Sequence, residues 1–201
     1  MTADAHLRRL TALGLMDPGE PGELDDALVD ALLALPDHEG AACLLGAAAE
    51  RGHVLLSPAS QQRVTTRWAA LMARVVHLDA VLLEIWGALD DAGIPTRVLK
   101  GAAIASLDEP DPAWRAYSDV DLLVPADRLM EAARVVAARC GTHPVVPPVR
   151  GWWADRFAQG ITLAHPSGIQ VDLHRLLAAG PIGARLRPAC LFAAGRPFRV
   201  G

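Results

Sequence analysis

The stretch RAYSDVDLLVP, residues 115–125, carries two aspartates inside an apolar run that is typical of a β-strand. Because side chains alternate between the two faces of a strand, Asp119 and Asp121 point to one face, while Val120 and Leu122 point to the other. Two adjacent carboxylates repel each other and are costly to remove from water. A divalent cation removes both penalties, since Mg²⁺ takes oxygen ligands and commonly binds carboxylates together with substrate phosphates. The stretch therefore predicts a metal site on a strand.

A third acid follows the same pattern in GIQVDLH, where Asp172 alternates with two apolar residues. We expect this strand to lie beside the first, so that Asp119, Asp121 and Asp172 share one face and hold two metal ions about 4 Å apart. Taken alone, Asp172 also fits a surface carboxylate at a strand end. The aspartate pair also fits the solvated face of an edge strand. We favour the metal interpretation.

VLKGAAIA predicts a strand followed by a tight turn into a helix. Gly101 allows a close approach of the backbone to a ligand, and the first N–H groups of the helix point at an anion. Lys100, the single lysine of the chain, adds a point charge, and Arg115 adds a planar fork that matches phosphate oxygens. These residues predict a phosphate site beside the metal site, although each cation alone also fits an ordinary surface position.

The chain changes character near residue 93, where a glycine and a proline end a long helical pattern. We expect a helical region over residues 1–93 and an α+β core over residues 94–201, with the order strand, helix, strand, helix, hairpin. The helices expected in the first region cover residues 3–16, 23–35, 39–51 and 58–92.

Composition limits the classes of function. The 201 residues are 52% hydrophobic, which suits a folded globular protein, and the net charge of −4 offers no basic surplus for general DNA or anionic-membrane binding. The three cysteines lie far apart, without the spacing of a zinc knuckle or a disulfide framework. The first residues lack a signal-peptide pattern, and the apolar runs are too short to cross a bilayer. We therefore expect a cytoplasmic protein.

Taken in order, LKGAAIASL, WRAYSDVDLLVP and VDLH resemble the uncharacterised nucleotidyltransferase family of the DNA-polymerase-β-like nucleotidyltransferase superfamily, over about residues 97–176. The resemblance implies an α+β fold, in which a helical N-terminal region precedes a polymerase-β-like core with a small mixed β-sheet flanked by helices. It implies transfer of a nucleoside monophosphate from an NTP, with ATP as the expected NTP, to an acceptor, together with pyrophosphate release. It also implies two Mg²⁺ ions.

The resemblance assigns roles to single residues. The acids take the catalytic and metal-ligand positions: Asp119, Asp121 and Asp172. Asp172 is additionally placed to draw the proton from the acceptor hydroxyl. The nucleotide-binding positions that face the triphosphate fall on Lys100, Gly101 and Arg115.

Two departures from the family leave alternatives open. Ala102 follows the turn glycine where the superfamily usually has serine or glycine, so phosphate binding rests there on backbone N–H groups and charges. Family members tend to continue into a further helical region, so we expect a C-terminally truncated core, with part of the nucleobase or acceptor pocket missing or supplied by another subunit. The alternative is a catalytically degenerate nucleotidyltransferase-fold binding module that acts with a partner protein.

The sequence leaves the partners open. The acceptor is a small molecule, a tRNA or a protein, and both an oligomer and a partner enzyme are compatible with the chain. Trp152 and Trp153 fit base stacking, but they fit apolar packing or an oligomer contact equally well. We expect structural or supporting roles for His165 and His174.

Overall fold

The computed structural model describes residues 22–34, 38–146, 159–177, 189–193 and 195–200. The chain divides into two compact units. The first unit comprises Met1–Val75 with Asp108–Ala116, and the second comprises Val76–Leu107 with Tyr117–Gly201. The boundary at residue 93 remains a prediction of domain organisation.

The first unit is built mainly from helices, with a two-stranded parallel sheet. Its elements are β1 (Gly22–Leu24), α1 (Asp26–Leu33), α2 (His38–Glu50), β2 (Val54–Leu56) and the first part of α3 (Pro58–Asp91). Helix α1 begins where the Asp25 carboxylate accepts a hydrogen bond from the backbone N–H of Leu28 at 2.7 Å, which is an ordinary N-cap. The expectation of an all-helical region missed both strands, because three residues are too few to show alternation.

The core of the first unit consists of apolar side chains from the helices and both strands. Its buried members are Leu24, Val29, Leu32, Leu45, Ala48 and Val64. Trp68 packs against a second cluster, formed by Ala42, Cys43 and Leu71, and donates its indole N–H to the carbonyl oxygen of Ala113 at 2.8 Å. A side chain at Gly46 would collide with the ring of Trp68, so this glycine lets the indole lie directly against α2.

The second unit contains a five-stranded mixed sheet. Its strands are β3 (Arg97–Val98), β4 (Asp119–Leu123), β5 (His143–Pro144), β6 (Gly160–Ala164) and β7 (Gln170–His174). Their order is β3-β4-β7-β6-β5, with β4 and β7 parallel and the other pairs antiparallel. Strand β7 is central, and β4 has a neighbour on each side. This mixed sheet confirms the expected α+β fold.

One face of β4 and β7 forms the main core. The apolar side chains of these strands that lie in it are Val120, Leu122, Val171 and Leu173. The second part of α3 contributes Leu78, Leu82, Ile85 and Leu89, and α5 (Leu129–Cys140) contributes Leu129, Ala132 and Val136. Two helices thus cover one face of the sheet. Gly141, with φ of 68°, ends α5 as predicted for a left-handed C-cap.

The predicted elements of the second half are present with small shifts. The short helix after the glycine turn is α4 (Lys100–Leu107), and α5 begins after a 3₁₀ turn at Ala126–Arg128. Strand β5 falls where a loop was expected, because a two-residue edge strand containing proline carries little strand signal. A further short helix, α6, covers Ala189–Ala193.

Some expectations lie outside the described residues: the helix over residues 3–16, and Trp152 and Trp153. Within the part of the chain that the structure describes, no helix is both long and apolar enough to cross a membrane.

Candidate metal and phosphate site

The pairing of β4 with β7 sets the predicted acids side by side. Asp121 lies directly opposite Asp172, and Asp119 lies opposite Gln170. Neighbouring strands are about 4.8 Å apart, and residues that lie opposite each other in a sheet present their side chains to the same face. The expected proximity of Asp172 to the aspartate pair is therefore found. The face opposite the helix-covered core carries all three carboxylates.

His174 extends this group. One ligand atom from each of Asp121, Asp172 and His174 lies within 4.8 Å of the others. The Nε2 atom of His174 is 2.6 Å from Oδ1 of Asp121. The sequence carried a signal for this contact, because His174 is two residues after Asp172 in the same strand and shares its face. We expected a structural or supporting role for this histidine, and the structure places it in direct contact with a predicted metal ligand.

Lys100 binds the same oxygen of Asp121. Its ammonium donates a hydrogen bond to Oδ1 at 2.7 Å. The Lys100 side chain is 57% exposed to solvent, whereas the Asp121 side chain is only 2% exposed. Among the described residues, Lys100 is also the only non-glycine residue with a positive φ, 44°. A left-handed conformation costs an L-residue with a side chain about 1–2 kcal/mol, so the surrounding turn must hold it. The residue with this backbone conformation is thus both the first residue of α4 and the one whose side chain contacts Asp121.

Two neutral side chains orient Asp172. Thr162 lies opposite Asp172 in the antiparallel pairing of β6 with β7, and its hydroxyl donates to Oδ1 at 2.5 Å. The amide of Gln170 donates to Oδ2 at 3.1 Å. Both carboxylate oxygens of Asp172 are thereby held in place by partners on the sheet. Neither Thr162 nor Gln170 was expected at the site from the sequence, although the hairpin register places Thr162 opposite Asp172.

The three carboxylates have different electrostatic surroundings. Burial, followed by the charges of Asp121 and Asp172, raises the pKa of Asp119. Burial also opposes ionisation of Asp121, yet hydrogen bonds from His174 and Lys100 hold the pKa of Asp121 below its usual value. The hydrogen bond to Asp121 raises the pKa of Lys100, which therefore stays protonated. The ammonium of Lys100 thus stabilises the ionised form of Asp121, whereas burial favours the protonated form of Asp119.

Gly101 has a packing reason to be glycine. A Cβ atom there would lie 2.8 Å from Cβ of Tyr117 and 2.9 Å from the first carbon of its ring. The hydroxyl of Tyr117 in turn donates to the carboxylate of Asp79 on α3. Tyr117 therefore ties the start of α4 to the second part of α3. The role of Gly101 in phosphate binding remains a prediction.

Arg115 belongs to the first unit, and its described contacts lie there. Its guanidinium is 3.8 Å from a carboxylate oxygen of Glu109, which is a long ion pair. Its Nε atom is buried and has no hydrogen-bond partner among the described residues. The binding of triphosphate by Arg115 remains a prediction.

The donor set fits a divalent cation. Carboxylate oxygens are the ligands that Mg²⁺ prefers, and they also suit Mn²⁺. The group whose ligand atoms lie within 4.8 Å of one another comprises Asp121, Asp172 and His174, and Thr162 and Gln170 orient one of its carboxylates, as partners of metal ligands commonly do. Ligation by Asp119, which lies on the same face, remains a prediction. The arrangement suits the binding of a metal-complexed phosphate.

Comparison with known protein families identifies the family of the chain. Residues 25–201 match a model of the family described as uncharacterised nucleotidyltransferase, and the segment that carries the sequence motifs lies inside this match. No curated protein and no solved structure matches the chain.

Proposed function

The chain belongs to the uncharacterised nucleotidyltransferase family, and from this premise we propose that it transfers a nucleoside monophosphate from an NTP to an acceptor and releases pyrophosphate. The observation that carries the proposal is the register of two parallel strands. It sets Asp121 opposite Asp172, with Asp119 on the same face. Buried carboxylates repel each other unless cations compensate them, so this arrangement favours a role in cation and phosphate binding over a purely structural one.

Asp119, Asp121 and Asp172 would hold two Mg²⁺ ions. When bound, such ions neutralise the charge of the triphosphate and of the attacking and leaving oxygens. The fixed orientation of Asp172 by Thr162 and Gln170 supports this assignment, because a ligand that is already positioned loses little freedom on binding.

The side chains and backbone supply the remaining steps. A hydroxyl oxygen of the acceptor forms a bond to the α-phosphorus of the NTP, and the bond from this phosphorus to the bridging oxygen of the β-phosphate breaks. The hydroxyl proton passes to the carboxylate of Asp172, and pyrophosphate leaves. Lys100 and the first N–H groups of α4 bind the triphosphate. Positioning and charge compensation would account for most of the rate enhancement.

The test is turnover with labelled nucleotide. The purified protein is incubated with Mg²⁺, ATP labelled at the α-phosphate, and a fractionated lysate as the source of acceptors. Pyrophosphate and labelled products are then measured. We expect both with the wild type and with the control Asp127→Asn, which removes an exposed carboxylate outside the site, and neither with Asp121→Asn.

Two outcomes contradict the proposal. Equal transfer by the wild type and Asp121→Asn would show that the acids are not catalytic. Mg²⁺-dependent ATP binding without pyrophosphate release, in the presence of all acceptor fractions, would instead support the binding module that acts with a partner protein. The labelled product identifies the acceptor as a small molecule, a tRNA or a protein, and competition by the other NTPs tests the expected preference for ATP.

A further inference from the structure

Two donors converge on a single buried carboxylate oxygen. Oδ1 of Asp121 accepts a hydrogen bond from the ammonium of Lys100 at 2.7 Å and lies 2.6 Å from Nε2 of His174. The Asp121 side chain is 2% exposed, and that of Lys100 is 57% exposed. The lysine thus reaches inward from the surface, with most of its side chain still in water. Moving it away from Asp121 would break one contact and little packing.

Lys100 acts on the whole acidic group. Its charge lies close enough to Asp119 and Asp172 to interact with both, in addition to its contact with Asp121. Without a cation nearby, three carboxylates on one sheet face would repel each other. The ammonium therefore compensates part of their charge within the chain itself. The left-handed backbone of Lys100 indicates that the turn keeps this residue in place despite a conformational cost.

A divalent cation on Asp121 would compete with this ammonium. Metal–oxygen distances are about 2.1 Å for Mg²⁺, so a metal on the carboxylate and an ammonium at 2.7 Å from Oδ1 would be neighbouring like charges. Both cations gain from the same carboxylate, and each repels the other. The lysine is the mobile partner, because its stem is exposed whereas Asp121 is buried.

We propose that Lys100 is the resident counter-ion of the acidic face, the sheet face that carries Asp119, Asp121 and Asp172. A divalent cation displaces the ammonium of Lys100 from Asp121, and the ammonium then binds the triphosphate of the nucleotide. This inference rests on the proposed function and deepens it. If the inference is correct, Lys100 affects two ligands in opposite ways: it weakens the binding of a bare metal ion and strengthens the binding of the metal–nucleotide complex. Metal and nucleotide would consequently bind more tightly together than either does alone.

The test separates these two effects with Mn²⁺, followed by electron paramagnetic resonance, and with ATP. The variants are Lys100→Met, which keeps the apolar stem, and Lys100→Gly, which suits the left-handed backbone. The control is Arg139→Met, which removes a surface cation paired with Asp91 at 2.9 Å, outside the site. Circular dichroism verifies the fold of each variant.

We expect both Lys100 variants to bind Mn²⁺ alone about tenfold more tightly than the wild type, since a contact-range positive charge is removed. At saturating Mn²⁺, we expect both to bind ATP about tenfold more weakly, because a charge-assisted contact to phosphate is lost. Arg139→Met should change neither affinity by more than about twofold, because its charge is screened by solvent.

Unchanged or weaker binding of bare Mn²⁺ in both Lys100 variants would overturn the inference, and would leave Lys100 as a structural partner that orients Asp121. Unchanged ATP affinity would equally overturn the proposed transfer of the ammonium to the triphosphate. Failure of the proposed function looks different: the variants would show the expected opposite shifts, while the wild type releases no pyrophosphate with any acceptor fraction.

Discussion

The two faces of β4 and β7 differ in composition, although they are made by the same ten residues. One face buries Val120, Leu122, Val171 and Leu173 against two helices. The other face carries Asp119, Asp121, Asp172 and His174. Apolar burial stabilises the fold by about 25 cal/mol for each Å² removed from water, whereas crowded carboxylates oppose folding unless they are compensated. Alternation along these strands thus separates most of the residues that hold the sheet together from those that give it chemistry; the fully buried Leu123, which alternates with the aspartates, is an exception.

The largest expected effect comes from the apolar face. Leu173→Ala removes a fully buried side chain between Asp172 and His174 and should lower the free energy of unfolding by about 3–5 kcal/mol, because it leaves a cavity. Urea denaturation measures the loss, with Met130→Ala on the exposed side of α5 as a control that should change it by less than about 1 kcal/mol. Mn²⁺ affinity of the folded fraction should stay close to that of the wild type. Lost metal binding with unchanged stability would mean that the two faces do not divide these roles.

The next effect comes from the acidic face and has the opposite sign for stability. Asp119→Asn should reduce the rate of nucleotidyl transfer by about 10²–10³-fold or more, since it removes a carboxylate that would hold the metal ions that neutralise the triphosphate. Burial and the charges of Asp121 and Asp172 raise the pKa of Asp119, so its ionised form destabilises the folded state. At neutral pH without metal, the variant should therefore melt at a slightly higher temperature than the wild type.

The stability gain of Asp119→Asn should depend on pH in a defined direction. Because the pKa of Asp119 is higher in the folded than in the unfolded chain, its ionisation lowers stability as pH rises through the folded value. The gain should thus be present at neutral pH and vanish in acid, where the wild-type carboxyl is protonated in both states. Thermal melts of both proteins over this pH range measure it. A variant that is less stable at every pH would show that Asp119 has a structural partner.

A smaller effect is expected at His174 and distinguishes positioning from ligation. His174→Ala removes the contact with Oδ1 of Asp121 and should weaken Mn²⁺ binding by about tenfold, the lower end for partners of metal ligands. His174→Gln places an amide nitrogen near the position of Nε2, and it should retain most of the affinity if the histidine positions Asp121. Equal losses in both variants, measured by titration with Mn²⁺, would instead identify His174 as a metal ligand.

Sequence patterns predicted the acidic face because its signal is local and periodic. The alternation in DVDLL and QVDLH indicates which side chains share a face, and the family match is consistent with the recognised motifs. The pairing of β4 with β7 was a reasonable expectation, since acids that share a site must be neighbours in the sheet. The long helix and the left-handed cap at Gly141 were likewise encoded by proline and glycine at their ends.

The remaining features depend on contacts between distant segments. Lys100 was predicted at a turn, but its positive φ and its contact with Asp121 arise from tertiary packing that overrides the local preference. Gly101 was expected to let the backbone approach a ligand closely; the structure places the side chain of Tyr117 against it, and the approach to a ligand remains a prediction. The orientation of Asp172 by Thr162 depends on strand register, which the sequence leaves open until the turn is defined.

The position of the bound metal tests most directly whether the carboxylates of β4 and β7 form a metal site. Crystals grown with Mn²⁺ and a non-hydrolysable ATP analogue would be measured near the manganese absorption edge, and the anomalous density would locate the ions. We expect manganese within about 2.5 Å of carboxylate oxygens of Asp119, Asp121 and Asp172, with the Lys100 ammonium moved from Oδ1 of Asp121 to the phosphates. Manganese bound elsewhere, or an acidic face that holds no ion while the analogue is bound, would contradict this expectation.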